Sequence, residues 1–271
     1  MFEHSIFSLP FIFIAMVVAA DGWFGFTLLL LGVGAAVSAR NFAMGLNRYA
    51  DRDIDGQNPR TKDRPSVDGR LDSTTILLFV VVNAIVFVAI AYIINTLAFW
   101  LSIPILFVLG SYSYFKRFSS LAHVILGFSL GLAPIAGVVA VSAEITPWSV
   151  LLSLGVIFWV AGFDLLYSLQ DIEFDIQNKL HSIPSEYGAP ATLFISLIFH
   201  ALSIIFWTMF VWVAGLGSLA FLAVILSAVM LSYEHHLVRK DFTKIDRAFF
   251  TVNGYLGIMF FIFIVLDRLA A

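Results

Sequence analysis

Asn47-Arg48-Tyr49-Ala50-Asp51-Arg52-Asp53-Ile54-Asp55-Gly56-Gln57-Asn58-Pro59-Arg60-Thr61-Lys62-Asp63-Arg64-Pro65 is dense in charge, yet from Ser73 to Phe115 the chain runs without one Asp, Glu, Lys or Arg. An uncharged run of that length holds about two membrane spans at roughly 20 residues each. The charged stretch is then a loop between spans. Two more runs read the same way: Ile145 to Phe163 admits one span and Tyr187 to Tyr233 admits two. Composition agrees, with 61% hydrophobic and 12% charged residues, against about 45–50% and about 25% in a soluble domain.

The hydropathy pattern predicts an all-α membrane protein, one domain over residues 1–271, with about nine spans near 5–20, 23–46, 74–94, 97–115, 121–142, 147–169, 188–213, 216–236 and 247–267. Turn signals at Asp21-Gly22, Asn95-Thr96, Thr146-Pro147 and Gly215 to Gly217 separate them. With the N-terminus in the cytoplasm, every Lys and Arg except Arg268 falls in cytoplasmic segments or span ends. The first run has no basic leader and no A-x-A cleavage signal, so it reads as a retained span. The absence of cysteine excludes thiolate chemistry, and a net charge of −3 without a basic stripe excludes nucleic acid as a partner.

The charged loop carries chemistry. Residues four apart stack on one helix face, so Asn47, Asp51 and Asp55 align, as do Asp171 and Asp175 in Asp171-Ile172-Glu173-Phe174-Asp175. Two opposed carboxylate faces suit Mg²⁺, a hard cation that binds through one or two carboxylates and substrate phosphates. Arg60 and Arg64 supply guanidinium donors for those phosphates. In a membrane, such a diphosphate belongs to a lipid. The active site is expected at the cytoplasmic side.

These motifs resemble the UbiA superfamily of intramembrane aromatic prenyltransferases. The family pattern is Asn/Asp-x-x-x-Asp-x-x-x-Asp followed by Arg-Thr-x-x-Arg-Pro, with a second Asp-x-x-x-Asp later. Here Asn47, Asp51, Asp55, Arg60, Thr61, Arg64 and Pro65 match the first part and Asp171 and Asp175 the second. Tyr112-Ser113-Tyr114-Phe115-Lys116-Arg117 is similar to the family's Tyr-x-x-x-Lys-Arg loop, and Arg40 stands where members commonly carry arginine. The chain departs at Arg48, where many members have aspartate; its position lies about 100° off the ligand face.

The resemblance implies transfer of a polyprenyl group from polyprenyl diphosphate to an aromatic hydroxy acid, in a multi-pass protein of the bacterial inner membrane, surrounded by lipid. It assigns Mg²⁺ to Asn47, Asp51, Asp55, Asp171 and Asp175, with Asp51, Asp171, Asp164 and Lys116 in catalysis. Arg60, Arg64, Lys116, Arg117, Arg52 and Lys179 are its candidates for the diphosphate. Arg40, Asp164, Tyr112 and Tyr167 are those for the acceptor. Asp164 also reads as a helix-packing aspartate with a nearby donor, and His123 and His200 as satisfied helix histidines. Glu234, His235 and His236 end a span and read as an interfacial anchor.

Closer in, Gln170 to Asp175, Leu180 to Pro184, Tyr233 to His235 and Phe249 to Gly254 resemble the 4-hydroxybenzoate-like branch that includes the futalosine-pathway menaquinone prenyltransferase. That implies a dihydroxynaphthoate acceptor, with 4-hydroxybenzoate of ubiquinone synthesis as the alternative. The run Gly127 to Gly137, rich in glycine and alanine, offers room for two rings and serves close helix packing equally. A divalent-cation transporter is disfavoured because the outer half of the membrane lacks a polar ladder. The Asp-Gly-x-x-Ala-Arg spacing of CDP-alcohol phosphotransferases is absent, and the carboxylate-handling candidates favour a phenolic acid over the haem acceptor of haem O synthase, which shares the superfamily.

Overall fold

The computed structural model describes residues 5–270, and all regular structure among them is helical. The helices are α1 Ser5–Ala19, α2 Phe26–Ala50, α3 Arg52–Asp55, α4 Ser73–Ile94, α5 Thr96–Phe115, α6 Ala122–Ser142, α7 Pro147–Ser168, α8 Ile172–Gln177, α9 Ile183–Val213, α10 Ser218–Lys240, α11 Ile245–Arg247 and α12 Asn253–Ala270. Local chemistry sets their ends. The Asp72 carboxylate accepts from the Thr75 N–H at 2.7 Å to start α4. Asn95 ends α4 and caps α5, and its amide donates to the Val139 carbonyl of α6 at 2.7 Å. Thr146-Pro147 and Ser182 followed by Pro184 open α7 and α9 with capping boxes.

Eight of these helices are long and apolar enough to cross a membrane. The first expected span, 5–20, forms α1 of 15 residues, short of the roughly 20 that a bilayer core requires. Its start reaches the edge of the described residues. α1 is nonetheless interior: Phe11, Ile14, Ala15 and Met16 are fully buried, and it packs between α6 and α12. The span predicted at 188–213 starts earlier, at Ile183, with a kink where Gly188 adopts φ 77° just before Pro190.

α7 is the central helix, clasped by α6 and α9. Lipid tails are as apolar as leucine, so contact between spans comes from close backbone approach and polar cross-links rather than water exclusion. A Cβ on Gly127 would stand 2.4 Å from the Ile157 carbonyl, and one on Gly131 2.2 Å from the Ile157 side chain. Gly127 and Gly131 are therefore filled by α7 and Gly137 meets α1, while Ala133, Ala136 and Gly137 of the same run line the larger apolar cavity described below, so the run serves both close packing and space. On the other side of α7, Ser203 and Ser196 of α9 donate to the Gly155 and Gly162 carbonyls at 2.8 and 2.7 Å.

The loops sort to two ends. Arg268 near the end of α12 pairs with Asp21 of the α1–α2 turn at 2.9 Å, and Asp267 accepts the Gly217 N–H of the α9–α10 turn at 2.6 Å. The opposite end gathers both aspartate motifs and the α5–α6 loop, where the His181 N–H reaches the Lys116 carbonyl at 2.8 Å.

Candidate active site

At the first motif the helix breaks. α2 stops at Ala50, Asp51 sits at φ −97°, ψ 5°, and α3 restarts at Arg52. The i,i+4 ladder survives the break, with Asp51 N–H to the Asn47 carbonyl at 2.9 Å and Asp55 N–H to the Asp51 carbonyl at 2.7 Å. Asn47, Asp51 and Asp55 thus remain on one face, as their spacing predicts. The Asn47 amide donates to Asp51 Oδ2 at 2.7 Å and to Ser113 Oγ at 3.1 Å. In the second motif Asp171 closes a 3₁₀ turn after α7, and Asp175 on α8 accepts from Ser182 Oγ at 2.8 Å.

Each motif is countered by a cation. Lys116 Nζ lies 2.7 Å from Asp51 Oδ2. Arg64 Nη1 donates to both Asp55 oxygens at 2.7 and 2.6 Å. Arg60 holds Asp171 with two nitrogens at 3.2 and 2.6 Å, and its guanidinium lies 5.7 Å from the centre of the Tyr167 ring. The loop from Gly56 to Leu71 folds across to the second motif, where the Asn58 amide reaches Asp171 at 3.3 Å. Burial pushes the Asp51 carboxyl upward while Lys116 opposes the shift. Asp51 Oδ1 is buried without a hydrogen-bond partner.

These groups wall a polar chamber of about 270 Å³ that includes all five expected metal-binding residues. Among the described residues no three carboxylate or histidine side chains converge closely enough to hold a metal on their own. The donor set fits a Mg²⁺ completed by substrate oxygens: carboxylate and amide oxygens only, one of them unpartnered, on two facing motifs. A second, mostly apolar cavity of about 680 Å³ adjoins the chamber, running from Arg48 on α2 to Gly32 on the same helix and Ile94 on α4. Asn47, Arg60, Arg64, Tyr112, Asp164 and Tyr167 line both. Arg40 lines the apolar one.

Three expected diphosphate ligands do not wall the chamber. Arg117 turns to Asp53, at 3.0 and 2.8 Å. Arg52 donates to Ser73 Oγ at 2.6 Å. Lys179 is exposed, on a residue with φ 54°. The physical reason is shared: each has a closer counter-charge, hydroxyl or solvent on the outer side of its loop. Arg48, expected to point away, reaches within 3.8 Å of Asp55 because its long side chain spans the angular offset. Asn58, Ser113 and Ser182 were not among the expected site residues. Only Asn58 had a legible signal, an amide two residues before Arg60 in the same loop.

Glu234 and His235 are also corrected. They are 0% and 4% exposed, so they do not anchor an interface, although Tyr233 and His236 are exposed. Asn253 of α12 donates to Glu234 Oε1 at 2.7 Å and accepts from Trp159 Nε1 at 2.7 Å. His235 Nε2 and His200 Nδ1 lie 3.0 Å apart.

Residues 8–264 match the model of the UbiA prenyltransferase family. The 4-hydroxybenzoate octaprenyltransferase of Aromatoleum aromaticum is 29% identical over 261 residues, covering 94% of this chain and 87% of that protein. Among solved structures, the apo structure of a UbiA homolog from Aeropyrum pernix K1 superposes with a TM-score of 0.89 at 32% identity, covering 98% of each chain. A UbiA homolog from Archaeoglobus fulgidus bound to DMAPP and Mg²⁺ shares the fold, with a TM-score of 0.77 at 18% identity over 98% of this chain and 96% of that one.

Proposed function

Given that the chain belongs to the UbiA prenyltransferase family, we propose that this multi-pass membrane prenyltransferase moves a polyprenyl group from polyprenyl diphosphate to a ring carbon of an aromatic hydroxy acid, with Mg²⁺. The observation that carries this reading is the junction: a polar chamber of paired carboxylates and cations opening directly onto a long apolar cavity. A diphosphate head and an isoprenoid tail need those two environments side by side.

Asn47, Asp51, Asp55, Asp171 and Asp175 would hold the metal, which when bound supplies charge stabilisation to the departing pyrophosphate. The cations are already stored on these carboxylates. A diphosphate entering the chamber offers Lys116, Arg60 and Arg64 an alternative anion, and their release frees carboxylate oxygens. The allylic C–O bond then breaks with its electron pair going to pyrophosphate. The acceptor ring carbon forms the new C–C bond, and loss of its proton restores aromaticity. Tyr112 and Tyr167 line the junction where the allylic cation forms, and an aromatic ring there stabilises positive charge. The Aeropyrum and Archaeoglobus likenesses support the fold, and the latter protein's bound DMAPP and Mg²⁺ support the donor and metal.

For the acceptor, Arg40 in the apolar cavity suits a carboxylate. The branch resemblance in residues 170–184 favours 1,4-dihydroxy-6-naphthoate, and the relative from Aromatoleum favours 4-hydroxybenzoate as a second reading. With saturating donor and Mg²⁺, the naphthoate is expected to turn over faster; product masses decide. Faster prenylation of 4-hydroxybenzoate would transfer the assignment to the second reading. Arg40→Ala should raise the KM of either acid with the donor KM unchanged.

We place the motif end in the cytoplasm of the bacterial inner membrane, on the basic-residue bias. A reporter fused after Ala271 should read external. A cytoplasmic signal would reverse the end-to-end assignment.

A further inference from the structure

His123 occupies the first turn of α6, four residues before Gly127 and eight before Gly131. Positions four apart share a helix face. The two glycines press that face onto α7, against Ile157 and Ala161. Asp164 follows Ala161 by three residues on the same α7 stripe. The packing therefore delivers His123 to Asp164, and Nδ1 lies 2.7 Å from Asp164 Oδ2. An ionised carboxylate has only acceptors, so this bond puts the proton on Nδ1. The other ring nitrogen, Nε2, is buried without a partner. Asp164, by contrast, stays partly accessible, with its side chain 20% exposed at the junction of the chamber and the apolar cavity.

We infer that His123 is a positioning residue for the acceptor: its Nδ1–H clamps one oxygen of Asp164 so that the carboxylate faces the junction, where it accepts the hydrogen bond of the aromatic acceptor's hydroxyl. The inference rests on the prenyltransferase reading. Geometry argues for it in two further ways. Tyr112 and Tyr167 line the same junction as Asp164, so aromatic side chains stand where the acceptor ring would lie. Arg40 lies on α2, one of the other cavity walls, so hydroxyl and carboxylate ends of an acceptor would be held from different helices.

The test uses the full-length protein in membranes with Mg²⁺, polyprenyl diphosphate and each acid. His123→Leu should lower kcat/KM for the acceptor about 10²-fold while leaving the donor KM within about twofold. His123→Asn, whose amide can take the place of Nδ1–H, should recover most of that loss, whereas His123→Gln should not. Asp164→Asn should lose a similar amount, and adding His123→Leu to it should cost nothing more, since the histidine acts only through the aspartate. Multiplying losses in the double variant, or a His123→Leu enzyme with wild-type acceptor kinetics, overturns the inference. Rescue by glutamine rather than asparagine overturns it as well. Wild-type turnover in the same assay separately judges the prenyltransferase reading.

Discussion

Asp171→Ala is expected to lower kcat about 10³-fold, equivalent to roughly 4 kcal/mol of barrier, with the protein still folded. The two halves of that result have separate origins. In the resting chain Asp171 is engaged by Arg60, a partner whose side chain is 39% exposed, and by Asn58. A pair that exposed contributes within about 1 kcal/mol to stability. Its loss leaves Arg60 in contact with water rather than sealed without a counter-charge. Catalytically the residue is half of the second metal-binding face, and no neighbouring carboxylate of α8 duplicates its position. The check is single-turnover product mass together with a thermal melt in detergent. Turnover within threefold of wild type would place the metal centre elsewhere. Asp51→Ala makes the contrasting case: that carboxylate is 3% exposed and holds Lys116, so stability should fall along with activity.

Excess chelator should abolish turnover yet leave the melting temperature of the substrate-free protein nearly unchanged. Structural metals fold their domains by neutralising crowded ligands. In this chain that neutralisation comes from within, because Lys116, Arg64 and Arg60 already sit on Asp51, Asp55 and Asp171. Metal affinity should therefore be low until a diphosphate draws the cations away. Mg²⁺ with a non-reactive prenyl diphosphate at about 100 times its Kd should stabilise the fold by about 2.7 kcal/mol, and Mg²⁺ alone by far less. Full activity in chelator, or unfolding by it, would contradict the stored-cation arrangement.

Much of this was legible in the chain because the informative signals are local. Spacing of four residues aligned Asn47, Asp51 and Asp55 despite the helix break at Asp51, since the backbone ladder continues across it. Caps at Asn95, Thr146 and Ser182 punctuate the spans where their side chains can reach the next turn. What failed to show was set by partners distant in sequence. Arg117 looked equivalent to Arg60 until Asp53 claimed it, and Arg52, the lesser candidate, is held by Ser73. Glu234 looked interfacial because it opens the charged run Glu234 to Asp241 at a span end, while Asn253 of α12 is what draws it inside. Likewise the glycines of α6 read as space or as contact with equal ease, and only the position of α7 separates the two.

The buried Glu234 also bears on how the protein is made. An ionisable side chain in a spanning helix raises the cost of insertion, less so near the end than at the centre, and α10 must enter the bilayer with one aboard in its last turns. Its amide partner, Asn253, is 19 residues further along the chain and opens α12. Biogenesis should thus treat α10 and α12 as a hairpin that enters together, the second helix quenching the polar liability of the first. In a glycosylation-mapped insertion assay, α10 alone should insert less efficiently than the α10–α12 pair, and Asn253→Leu should remove the pair's advantage.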